Sequence, residues 1–120
     1  MSLVIDGTNG VTMPVGSQSN ASIVAWVNWD GSTGSGNTIR ASYNVSSITR
    51  TATGNYTITF STALQDTNYA FSGSGQNDAT NTNVVTSSTT ARTTTNLYIV
   101  TSLPGLSTGN PLTVNVIVVR

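Results

Sequence analysis

The most constraining feature of the chain is a period of two. Ile39, Ala41, Tyr43 and Val45 alternate with Thr38, Arg40, Ser42 and Asn44, and Tyr56, Ile58 and Phe60 alternate with Asn55, Thr57 and Thr59. Successive side chains of a strand point to opposite faces, so each run offers one apolar and one polar face, as in an antiparallel sheet with one side wet. Other runs are apolar on both sides. Ile23, Ala25, Val27 and Trp29 share one face of a run whose other face carries Val24 and Trp26. Leu97 and Ile99 alternate with Tyr98 and Val100. In the last run, Leu112 to Arg120, Leu112, Val114, Val116 and Val118 share one face, and the other turns apolar at Ile117 and Val119. Such two-faced runs need cover on the second face, from a loop or a neighbouring subunit.

Turn signals divide the runs. Asp6-Gly7 and Asn9-Gly10 are hairpin dipeptides. Asp30 to Asn37, Gly73 to Asn81 and Leu103 to Pro111 read as loops by composition. Asp78 to Thr95, dense in Thr, Ser and Asn, reads as a Thr-rich pair of edge strands rather than a flexible loop. The pattern predicts an all-β fold, an antiparallel, jelly-roll-like β-sandwich of about eight or nine strands and no helix. It divides the chain into a short stem or attachment segment, 1–20, and a β domain, 21–120.

Composition supports strands and limits chemistry. Ser, Thr and Asn make up roughly two-fifths of the 120 residues, and Lys, Glu, His and Cys are absent. Four arginines (Arg40, Arg50, Arg92, Arg120) balance four aspartates (Asp6, Asp30, Asp66, Asp78). Scattered arginines make no field that gathers phosphates, which argues against nucleic-acid binding. Without His or Cys there is no Ser-His or Cys-His nucleophile, and the aspartates show no close pair for glycoside hydrolysis. The chain is therefore expected not to be an enzyme, and to take no cofactor and no metal. Asp30 or Asp78 with nearby Asn is the nearest approach to a calcium site, without the spacing of an Asp-rich loop. Gly31, Gly34 and Gly36 lack the lysine and the strand-to-helix setting of a phosphate loop. The sequons at Asn20, Asn44 and Asn55 are what chance gives in such a composition. No apolar run reaches the roughly 20 residues of a spanning helix, so no membrane insertion is expected. Met1 to Gly10 lacks the pattern of a signal peptide.

The aromatics Trp26, Trp29, Tyr43, Tyr56, Tyr69, Phe71 and Tyr98 mostly fall on alternating strand positions and read as core. Trp29 is the exception: it stands directly before the polar loop and is a candidate for stacking on a sugar ring. Candidate receptor-contact residues on the two polar loops are Trp29, Ser32 and Asn37 on the first and Gln76, Asn77, Asp78 and Asn81 on the second, because amides and hydroxyls bond to hydroxyls and scaffold strands are committed to packing.

The segment Ala25-Trp26-Val27-Asn28-Trp29-Asp30-Gly31 resembles a motif of bacteriophage and prophage tail-fibre proteins, which read Ala-Trp-Val-Asn-Phe followed by a small loop residue and Gly. Here Trp29 stands in place of the Phe. The likeness continues through Ile39 to Ile48, Gly54 to Phe60, Asn68 to Phe71 and the closing Val114 to Arg120. It covers roughly residues 20 to 120. The resemblance implies a β-rich tip domain of a trimeric fibre, exposed to the host surface, and brings no catalytic residues. The expectation is a bacteriophage virion structural protein, a homotrimer assembled in the host cytoplasm with other virion proteins. Exposed on the particle, it would attach to a host surface glycan or protein. The alternatives are a capsid decoration or head-fibre protein that stabilises the shell and, from another class, a carbohydrate-binding module or lectin.

Overall fold

The computed structural model describes residues 4–6, 10–12, 22–33, 37–77, 81–103 and 108–120. They contain no helix and ten strands. β1 (Val4–Asp6) and β2 (Gly10–Thr12) pair as an antiparallel ribbon within the expected stem segment. The remaining eight are β3 (Ile23–Asp30), β4 (Thr38–Tyr43), β5 (Val45–Ala52), β6 (Asn55–Phe60), β7 (Ala70–Gln76), β8 (Thr82–Ser87), β9 (Asn96–Ser102) and β10 (Thr113–Val119). They hydrogen-bond in the order β4-β3-β10-β7-β8-β9-β6-β5, every pair antiparallel. The all-β, antiparallel expectation thus stands. The pairing runs through all eight strands as one sheet, with the β7–β8 ladder limited to Ser74–Gln76.

That sheet is nearly closed into a barrel. Its two ends, β4 and β5, are consecutive in the chain and joined through Asn44, whose φ of 54° lies in the left-handed region that Asn tolerates better than most residues. The Asn44 amide secures the corner. Its Nδ2 donates to the carbonyls of Val24 (3.1 Å) and Thr62 (3.2 Å), and its Oδ1 accepts from the Thr62 amide at 2.7 Å.

The interior is made by the inward half of each alternation. Ala25, Val27 and Trp29 of β3 pack with Val114, Val116 and Val118 of β10, Tyr56, Ile58 and Phe60 of β6, and Leu97 and Ile99 of β9. Four readings of the sequence need correction. In β4 the alternation does not run through: a bulge opposite Asn28 and Trp29 leaves Ile39 against the core but turns Ala41 and Tyr43 outward. Leu112 precedes β10 and is exposed. The Thr-rich segment supplies one interior strand, β8, paired on both sides, and 88–95 form no strand. Lastly, Gly73 to Gln76 belong to β7 rather than to a loop. The glycine signals close approach there: a Cβ on Gly73 would stand 2.8 Å from the Asn115 carbonyl oxygen and 2.9 Å from Val85 Cγ1.

Candidate functional site

Antiparallel order sorts the connections between two poles. At one pole lie the adjoining ends of β3 and β4, of β7 and β8 and of β9 and β10, with the described residues 31–33, 37, 77, 81, 103 and 108–112, and the 53–54 turn. At the other lie Asn44, the connections 61–69 and 88–95, and the point where the chain enters the barrel. There Ser22 and Arg120 exchange backbone hydrogen bonds of 2.7 and 2.9 Å. The two loops singled out from sequence therefore share the pole away from Ser22.

This loop pole is tied to the core. The Tyr56 hydroxyl lies 2.9 Å from the Gly31 carbonyl oxygen and 3.2 Å from Asn110 Oδ1, so its single proton serves one of them at a time. Asn110 Oδ1 also accepts from the Gly54 amide at 2.9 Å. Thr101, buried, donates from Oγ1 to Gly109 O at 2.6 Å and from its amide to Gly54 O at 2.7 Å. Burial of Tyr56 raises its phenol above the ordinary value. Neither Asn110 nor Thr101 is signalled in the sequence, because a hub of this kind joins residues dozens of positions apart.

The candidate contacts fall into different settings. Trp29 is fully buried, its ring edge-on to Tyr56 with centroids 5.6 Å apart, and so offers no face to a sugar. It shares the inward face with Ala25 and Val27, and the strand period carries it into the core. Asn37 is also buried. In the amide orientation that satisfies both ends, it donates to Thr33 O and accepts from Arg50 N–H, each at 3.3 Å, as a structural clip. Ser32 is exposed, and its amide and hydroxyl both bond Asp30 Oδ1, at 2.9 and 2.6 Å. Those bonds first, and Arg40 behind them, hold the Asp30 carboxyl below the usual range. Gln76 and Asn81 are exposed and Asn77 half-buried, with the Asn77 amide donating to Asn81 O at 2.9 Å to close the loop. Asp78 lies outside the described residues.

The exposed aromatics are elsewhere, on the outer face of the sheet. Tyr43, Trp26 and Ile117 are neighbours across β4, β3 and β10, and are 57, 38 and 39% exposed. Ile23, 55% exposed, pairs with Val119 at the end of the same strands. Below this band the Asn28 amide donates to Asn115 Oδ1. The β4 bulge, invisible in a simple alternation, is what brings Tyr43 out beside Trp26.

Among the described residues no group of three or more Asp, Glu, His or Cys is placed to hold a metal ion. No family model, curated protein or solved structure matches the chain.

Proposed function

We propose that the chain is a bacteriophage virion structural protein, tail-fibre-like and homotrimeric, which attaches to the host surface without catalysing a reaction. The observation that carries this reading is polar separation: the exposed Ser32, Gln76 and Asn81 stand at the pole opposite Ser22, where the expected stem segment 1–20 leads into the barrel. A module anchored at one end and presenting polar loops at the other suits attachment. The role expected of a jelly-roll sandwich, a rigid scaffold with loops at its ends, falls in this reading to the rolled sheet. The band of Ile23, Trp26, Tyr43 and Ile117 supports self-association, because neighbouring large apolar side chains on an outer face favour a partner surface.

The test is an antibody against residues 22–120, applied to purified particles of the phage whose genome carries the sequence. Label at fibre ends supports attachment. Label over the shell favours the capsid decoration reading, and particles without label overturn a virion role altogether.

A further inference from the structure

The β7–β8 ladder stops before its strands do. Pairing runs Gln76↔Thr82, Gly75↔Asn83, Ser74↔Val84 and then ends, although β7 extends back to Ala70 and β8 on to Ser87. Residues 70–73 pair only with β10, and 85–87 only with β9. The strand edges that face each other across this seam therefore have no ladder partner. Between them opens a groove of about 610 Å³, lined among others by Phe71, Ser72, Val85, Thr86, Ser87 and Arg92.

Arg92 is fixed in this seam. Its Nη1 donates to the Tyr69 carbonyl, and its Cζ stands 5.1 Å from the Tyr69 ring centroid and 5.7 Å from that of Phe71. The platform is itself held: Tyr69 is buried, meets Phe60 edge-on at 5.9 Å, and has its hydroxyl 3.0 Å from Thr93 O. Among the described residues the ion pairs are Arg40 with Asp30 and Arg120 with Asp66, and neither involves Arg92. A half-buried guanidinium held on two rings, with one nitrogen anchored, keeps its remaining donors ordered at little entropic cost.

We propose that the seam binds a saccharide through a carboxylate on Arg92, with Ser87, on the same face of the sheet as Phe71, meeting the sugar hydroxyls, and Ser72 and Thr86 flanking the seam on its outer face. One planar guanidinium matches one planar monoanion, whereas a phosphate near its dianionic form draws on more positive charge than this groove holds. The volume suits one or two sugar rings. The site lies between the β7–β8 seam and the 88–95 connection, away from the pole of Ser32, Gln76 and Asn81, and it goes beyond the attachment reading: a chain mounted elsewhere on a particle would still carry it.

The experiment titrates trigalacturonate and sialyllactose into the full chain, with methyl-esterified trigalacturonate and lactose as uncharged counterparts, followed by calorimetry and amide chemical shifts. At least one acidic sugar is expected to bind saturably, shifting Ser72, Thr86 and Ser87, with its uncharged counterpart much weaker. Losing a charge-assisted hydrogen bond in Arg92→Gln lowers affinity about tenfold or more, and Arg92→Lys, which keeps the charge without the fork, falls between. The comparison of acid with ester needs no variant, so it stands even if Arg92→Gln unfolds. Saturable binding of neither acid, equal binding of acid and uncharged counterpart, or shifts confined to the loop pole would each overturn the proposal.

Discussion

Asn44 joins the two ends of the sheet, and replacing it measures what closure contributes. Asn44→Ala removes three hydrogen bonds, to Val24 O, Thr62 O and the Thr62 amide. At roughly 1 kcal/mol each, in a half-buried corner, the loss is about 2–3 kcal/mol. The φ of 54° adds a backbone cost for alanine of about 1 kcal/mol. Asn44→Gly avoids that cost but loosens the unfolded chain by roughly 0.5–1 kcal/mol. Both variants should therefore be destabilised, each by about 3–4 kcal/mol. Near 2.1 cal/mol/K per residue, each kcal/mol lowers Tm by about 4 °C for a chain of this size, giving drops of roughly 12–16 °C. Urea unfolding followed by circular dichroism, checked by calorimetry, gives both values. If Asn44→Gly stays within about 0.5 kcal/mol of the parent, the side-chain clip contributes nothing and the argument fails.

The other expectations are briefer. Ile117→Asp places a carboxylate in the apolar band, so light scattering should fall from about three times the chain mass to the single-chain mass, and emission should shift red as Trp26 meets water while Trp29 stays buried. A monomeric parent protein, or a red shift that persists once Trp26 is replaced by Phe, would count against the interface. Gly73→Ala should cost about 1–3 kcal/mol, because its Cβ would crowd the Asn115 carbonyl and Val85; an unchanged denaturation midpoint would show that the sheet yields there. The carboxyls of Asp66, bonded to Arg120, and Asp30, bonded to Ser32, are both held below the ordinary value of 3.8. Their folded pKa values are depressed, so their contribution is complete above that range and is lost as pH falls through and below it. Acid titration of Asp66→Asn should accordingly show a shallower loss of stability below pH 4, and a curve parallel to that of the parent would refute the pairing.

Much of the core is legible in the alternation itself. In β6 and β10 the outward residues are polar or lie at an interface-like face, so Tyr56, Ile58, Phe60, Val114, Val116 and Val118 can be assigned inward from the period of two alone. Trp29 obeys the same rule. The polar loop beside it suggests an exposed ring, but position along a strand decides which way a side chain points, and the loop that comes next does not. Three things lie beyond the sequence. One is the β4 bulge, which depends on how β4 meets β3 and reverses the face of Tyr43. Another is the run Gly73 to Gln76, where loop-like composition serves close packing against β10 and β8. The last is the joining of distant residues, at Tyr56 with Asn110 and at Arg92 with Tyr69 and Phe71. Alternation is a local property, written in neighbouring residues. Register, curvature and the ending of a ladder are settled only when strands from distant parts of the chain meet, and the sites of this protein are built from those meetings.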